Sequence, residues 1–250
     1  MGEMQANRKL LRIGGEDREA FLQGVVSNNV TGLSQMVYAA LLTPQGKYIA
    51  DFFLVPEGES ILLDVAADLA PAVAQRLALY KLRAKVTIEE DDRLHVIRGL
   101  GAPPAGAHAD PRHPALGWRL YTDAPGDAPE IDWDAIRVAH CIPETGAELG
   151  PDTFILEAGF ERLHGVDFRK GCYVGQEVTA RMKHKTELRK GFVTVDLDGT
   201  AEAGTAITTE DGKEAGQLTT VAGDKAIAYL RFDRAKGPMR AGDATVTWTP

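Results

Sequence analysis

From Gly191 to its end the chain reads as short β runs with nothing helical between them, and that pattern restricts the fold more than any other stretch. The runs fall at 192–195, 206–209, 217–220, 226–230 and 245–248. Asp211-Gly212 is a two-residue hairpin signal, and Gly223-Asp224 and Gly237-Pro238 mark further breaks. Short strands without a helix layer must protect their edges by closing on themselves, so a small C-terminal β-barrel or sandwich is expected.

Upstream, helical and strand periods alternate. Residues 10–13 read as a strand, and 16–23 as a helix with acids in its first turn and Gly24 past its end. Segments 37–42 and 48–55 flank Thr43-Pro44-Gln45-Gly46, where Pro in the second and Gly in the fourth turn position predict a hairpin through a type I turn. A strand at 61–65 leads to Asp68, placed to cap a helix whose Leu69, Val73, Leu77 and Tyr80 form one stripe. Lys81, Arg83 and Lys85 follow, at the negative end of that helix. Strands are expected at 86–88, 94–97 and 116–121. Between the last two, the four prolines of 101–114 predict an exposed loop or boundary. Helices at 132–139, capped by Asp132, and 176–184 complete an α+β pattern.

The 250 residues are 44% hydrophobic, ample for packed cores, and carry a net charge of −8. Direct nucleic-acid binding is not expected, because such domains present a basic face to phosphates. One local exception is 181–190, where five cations face one Glu. A cationic patch on an acidic chain suits an anionic ligand tail or an acidic partner, or is simply a solvated helix face. No apolar run reaches membrane-spanning length, so no membrane partner is expected. Cys141 and Cys172 give neither a disulfide framework nor the paired spacing of a zinc site, so no metal ligands are assigned and a reducing, cytoplasmic setting is expected. Two thiolates are also too few to hold an ordinary four-cysteine iron–sulfur cluster within one chain.

Chemistry concentrates in Lys170-Gly171-Cys172-Tyr173-Val174-Gly175-Gln176-Glu177. Glycines at 171 and 175 free the backbone for positive φ or for close approach of a ligand. Arg169 and Lys170 precede the thiol, and neighbouring cations favour the thiolate, the form that acts as nucleophile or metal ligand. Cys172 is therefore the candidate catalytic residue. A small buried hydrophobe in a tight turn is the alternative reading of the same residue. His164 and His184 are near it in sequence and read as surface or hydrogen-bonding residues, since working Cys/His pairs meet in space rather than along the chain.

The motif at 170–177 resembles the signature of the folate-binding YgfZ family, a branch of the glycine-cleavage T-protein (aminomethyltransferase) superfamily. Phe21-Leu22-Gln23-Gly24, Leu42-Thr43-Pro44-Gln45-Gly46-Lys47 and Ile142-Pro143-Glu144 fall where the resemblance places them. It implies an α+β, three-lobed T-protein-like fold, with a two-lobed folate-binding region over 1–186, broken near 101–114, and a β-barrel over 187–250. It also implies tetrahydrofolate as cofactor, held by Lys170, Gly171, Tyr173, Gly175, Gln176 and Glu177 together with Tyr48, Asp51 and Arg83. The implied role is maintenance or assembly of iron–sulfur enzymes, with those enzymes or assembly proteins as transient partners. The chain departs from the transferases at two points. Tyr48-Ile49-Ala50-Asp51 offers one carboxylate where they carry two, and Leu116-Gly117-Trp118-Arg119-Leu120 lacks the glutamate that grips the pterin. General acid/base transfer needs a positioned carboxylate, so an accessory factor is expected ahead of a folate-dependent aminomethyltransferase or demethylating enzyme. A pure scaffold with a structural Cys172 is the third reading.

Overall fold

Alternation in the first part of the chain is realised as two antiparallel sheets, and the terminal run of short strands as a closed barrel. A computed structural model describes residues 2–185 and 187–249. Two compact units result, one of 1–131 with 160–180, the other of 132–159 with 181–250.

The first unit contains β1 (Glu3–Met4), β2 (Arg8–Gly14), α1 (Arg18–Gln23), β3 (Val37–Leu42), β4 (Tyr48–Glu57), β5 (Ser60–Ala66), α2 (Ala70–Lys81), β6 (Thr87–Glu90), β7 (His95–Gly99), β8 (His108–Ala109) and β9 (Trp118–Thr122). Five strands pair in the order β3-β4-β5-β2-β6 and four in the order β1-β7-β9-β8. The near-continuous apolar run of β4 is the mark of a strand covered on both faces. One face of the five-stranded sheet presents Leu11, Ile13, Leu41, Phe52, Leu54 and Leu63 to Leu22 of α1 and Val73 and Leu77 of α2. The other carries Arg8, Asp51, Phe53 and Asp64, and meets Arg119 and Tyr121 of β9.

The hairpin at 43–46 forms as expected, with Gly46 N–H donating to the Thr43 carbonyl at 2.8 Å and Gly46 at φ +76°. Asp68 does not cap α2. It lies in a short 3₁₀ turn, Ala67–Leu69, and Pro71 opens the helix, where its missing N–H costs nothing. The stretch 101–114 is also not simply an exposed loop. It contains β8 and buries Asp110 and Arg112.

In the second unit, α3 (Trp133–His140) is capped by Asp132, whose carboxylate accepts from Ala135 N–H at 2.9 Å. The chain then passes through α4 (Gln176–Lys185), begun in the first unit, to β10 (Lys190–Asp198), β11 (Ala206–Thr209), β12 (Glu214–Ala222), β13 (Lys225–Arg231), β14 (Met239–Ala241) and β15 (Ala244–Thr247). These six strands close in the order β10-β13-β12-β11-β14-β15 around Leu197, Ile207, Leu218, Leu230 and Val246. Buried Arg137 fastens α3 to the barrel, donating to Glu148 at 2.7 Å and to the Thr220 hydroxyl at 3.1 Å.

Candidate functional site

The thiol motif lies on a loop clamped at both ends. Upstream, Ser27 Oγ donates to the Gly165 carbonyl at 2.6 Å and Asn28 to the carbonyl of exposed His164 at 2.6 Å. Lys170 is buried, its Nζ donating to the Val26 carbonyl and lying 5.0 Å from the centre of the Tyr173 ring. Tyr173 is buried too, and burial pushes its phenol up to about 12. Downstream, Gly175 sits at φ +84°, and a side chain there would meet the Thr43 carbonyl at 2.6 Å and Gly46 at 3.2 Å. The 43–46 turn and the thiol loop therefore interlock through glycine against glycine, a contact neither could make with a Cβ. Between the buried anchors, Gly171 and Cys172 are exposed, and Val174 packs on the apolar core under α2. Gln176 is half-buried and Glu177 exposed at the start of α4.

Two expectations about this loop change. Lys170 does not spend its charge on the thiol: it points inward, and burial pulls its ammonium down to about 8 against the opposing effect of Asp167. Gly171 has an ordinary φ and open space around it, so only Gly175 uses glycine's freedom.

The three further residues assigned to folate are not brought together. Tyr48 and Asp51 are buried partners, with Tyr48 Oη donating to Asp51 Oδ1 at 2.6 Å and Tyr38 Oη to Asp51 Oδ2 at 3.0 Å. Arg83 is exposed beyond the end of α2, the helix that covers the opposite, apolar face of the sheet.

Asp51 belongs to a buried charge cluster that sequence reasoning missed. Asp64 accepts from Arg8 at 2.6 Å, Arg119 at 3.1 Å and Tyr121 at 2.9 Å. Asp110 accepts from Arg112 at 2.9 Å and Arg119 at 3.2 Å. The guanidinium carbons of Arg119 and Arg112 lie 3.9 and 4.9 Å from the centre of the Phe53 ring. Burial raises Asp110, but Arg112 and Arg119 outweigh it and hold the carboxyl below the usual range. Burial, then Asp51, lifts the Tyr38 phenol well above its ordinary value. The available sequence signal was Asp110-Pro111-Arg112, a charge pair inside a proline-rich stretch. A pterin at Asp51 would need an opening and a free carboxylate edge. Here Tyr38, Phe53, Asp64 and Arg119 fill the space at 2% exposure or less, and both Asp51 oxygens are engaged, so the arrangement does not fit folate at that carboxylate.

The cationic segment 181–190 includes Thr186, which lies outside the described residues. Arg189 and Lys190 line a cavity of about 350 Å³ with Met182, Arg231 and buried Glu157.

Residues 189–250 match the family described as CAF17, C-terminal beta-barrel domain. The mouse mitochondrial iron–sulfur cluster assembly factor IBA57 is 33% identical, with the match covering 93% of this chain and 78% of that protein. This chain belongs to the IBA57 family of iron–sulfur cluster assembly factors. The human IBA57 protein is 31% identical over the same shares. Among solved structures, an aminomethyltransferase T of the glycine cleavage system from Bartonella henselae superposes with a TM-score of 0.79, covering 98% of this chain and 83% of that one at 15% identity. The T-protein-like fold with mixed helices and strands and a C-terminal barrel is thus the fold of this IBA57-family chain. The relatives found carry the IBA57 name, and YgfZ stays the family that the 170–177 motif resembles. The cytoplasmic expectation is corrected, because these relatives are named mitochondrial. Cysteines outside disulfides do not distinguish one reducing compartment from another. No helix among the described residues is long and apolar enough to cross a membrane.

Proposed function

We propose that this protein is an iron–sulfur cluster assembly factor in which Cys172 offers one thiolate ligand to a cluster shared with a partner protein. The observation that carries the reading is the exposed thiol held between two buried anchors, Lys170 and Tyr173. Such a step in the backbone presents a ligand outward at small entropic cost, because its neighbours are already fixed. An ordinary cluster takes four cysteines, and the chain has two. Among the described residues no group of His, Cys, Asp and Glu could hold a metal by itself. A single ligand is useful only where a partner completes the set, which supports a transient complex with assembly proteins or recipient enzymes. Ligation requires the thiolate form.

The transferase reading is not favoured. Asp51 is buried, with one carboxylate oxygen accepting from Tyr38 and the other from Tyr48, so neither is free to take a proton from an amine donor. Folate binding rests on the family resemblance. Calorimetric titration with tetrahydrofolate tests it, and heat that disappears in Asp51→Asn would place the ligand at the cluster after all.

The deciding experiment compares Cys172→Ala, Cys172→Ser and Cys141→Ser in cells lacking the native gene. Iron–sulfur enzyme activities should stay low, at unchanged enzyme levels, with either Cys172 variant and recover with Cys141→Ser. Full recovery with Cys172→Ala would reduce the thiol to a structural role.

A further inference from the structure

Helix α2 is apolar on the face that it should show to water. Its sequence, Ala-Pro-Ala-Val-Ala-Gln-Arg-Leu-Ala-Leu-Tyr-Lys, buries Ala70, Val73 and Leu77 against the sheet. The outward positions are Ala72, Gln75, Ala78 and Leu79, with Leu79 at 65% exposure and Leu82, just past the end, at 86%. A helix that is hydrophobic around its circumference is ordinarily covered all round.

The end of α2 carries a second peculiarity. Ala84 N–H donates to the Lys81 carbonyl at 2.8 Å, closing a turn in which Leu82 adopts φ 47° and ψ −107°. That is the first central position of a type II′ turn, which glycine normally fills. The same chain does use glycine for this conformation at Gly117, with φ 62° and ψ −117°. Leu82 thus holds a strained backbone and exposes its side chain, with no internal packing to offset either cost.

The charges that α2 and its end contribute are of one sign, and the carboxylates of Glu16 and Asp17 meet them at Lys85. Residues 69–88 contain four cations and no acid, in a chain of net charge −8. Lys85 pairs with Glu16, whereas Arg76, Lys81 and Arg83 make no ion pair among the described residues. Leucines ringed by unpaired cations fit an acidic amphipathic segment, with its apolar stripe on Leu79 and Leu82 and its carboxylates on the arginines. A second copy of this chain would oppose cation to cation, and a nucleic acid would leave both leucines in water.

We infer that the outer face of α2, with the Leu82 turn, is a docking surface for an acidic, amphipathic segment of a partner protein. Val174 seats the thiol loop on the same apolar core that α2 covers, so this partner engages the side of the sheet that also carries Cys172. The inference stands apart from the role of the thiol, and either can fail alone.

The test places a photo-crosslinking amino acid at position 79 of the full chain in its native cells, with exposed Asp211 on the β11–β12 turn as control position. The expected cross-link is specific to position 79 and maps to a partner segment rich in Asp, Glu and leucine-like residues. Arg76→Glu with Arg83→Glu should lower its yield about tenfold or more, since like charges brought together in an interface cost at least that factor. Leu82→Gly is the discriminating variant: it should raise the melting temperature by relieving the turn and lower the cross-linking yield. Cross-links to a basic segment, to a nucleic acid or to a second copy would overturn the inference. So would a yield no higher than at position 211, a yield indifferent to charge reversal, or a melting temperature that falls in Leu82→Gly.

Discussion

One face of the five-stranded sheet is sealed by leucines, valines and phenylalanines beneath α1 and α2, the other by Asp51, Asp64 and Asp110 with Arg8, Arg112 and Arg119 around Phe53. Both are buried, yet they are held differently. Apolar burial is non-directional and tolerates a change of shape at moderate cost. A buried charge is tolerable only while each partner stays in place, because desolvation must be offset by specific geometry. The difference teaches where this fold gives up plasticity. At the carboxylate where the family resemblance places a ligand, the chain has built a fixed ionic interior, while its exposed thiol is carried by a loop seated on the forgiving side.

The largest expected effect that would break this contrast is at Arg119, which serves Asp64 and Asp110 together. Arg119→Met should destabilise by about 3–5 kcal/mol in urea unfolding, because two buried carboxylates lose a partner. A loss below 1 kcal/mol would mean that the cluster is looser than its geometry. Leu63→Ala, on the apolar face, should cost about 3 kcal/mol through lost transfer energy and a residual cavity, and unlike Arg119→Met its effect should not vary with pH.

The next effects, on the order of 2 kcal/mol, share one sign, stability rising with pH, but fall in different pH windows on the two faces. Asp110 has a depressed folded-state pKa, so its contribution is complete above the unfolded value near 4 and is lost as pH falls below it. The stability gap between the native chain and Asp110→Asn should therefore narrow on acidification. Lys170, on the apolar side, has a folded-state value lowered from 10.5 to about 8. The unfolded chain binds the extra proton between those values, so the native chain should gain stability relative to Lys170→Met as pH rises from 8 to 10.5. Denaturant midpoints across both ranges check both signs, and a gap that moves the other way in either range would refute that assignment. The smallest effect is expected for Tyr48→Phe, about 1–2 kcal/mol, because Tyr48 Oη both donates to Asp51 Oδ1 and accepts from Asp51 N–H, while the carboxylate keeps its bond from Tyr38. Thermal melting can resolve it, and a loss several times larger would show that Tyr48 organises the cluster.

Much of the fold was legible in the residues themselves. The strand runs after Gly191 closed into the barrel, Pro44 with Gly46 made the hairpin, Asp132 capped its helix, and 170–177 marked the loop with the exposed thiol. These are local effects, set by side-chain alternation, turn chemistry and caps within a few residues of one another. What covers each buried face was not legible. Asp110 and Arg112 sit in a stretch whose prolines signal solvent, Arg83 was grouped with Asp51 although the sheet separates them, and Lys170 turned away from the thiol it was expected to activate. Periodicity reports that a strand face is buried and says nothing of what lies against it. Arg119 and Asp64 are 55 residues apart and meet only because β9 packs across β5. The interlock of Gly46 with Gly175 likewise exists only once two distant turns are brought together. The sequence by itself determined most of the elements, the all-β character of the C-terminal region and the place of the thiol loop. The tertiary structure decided which charges meet, because the energy of a buried ion depends on the geometry of partners that local sequence does not position.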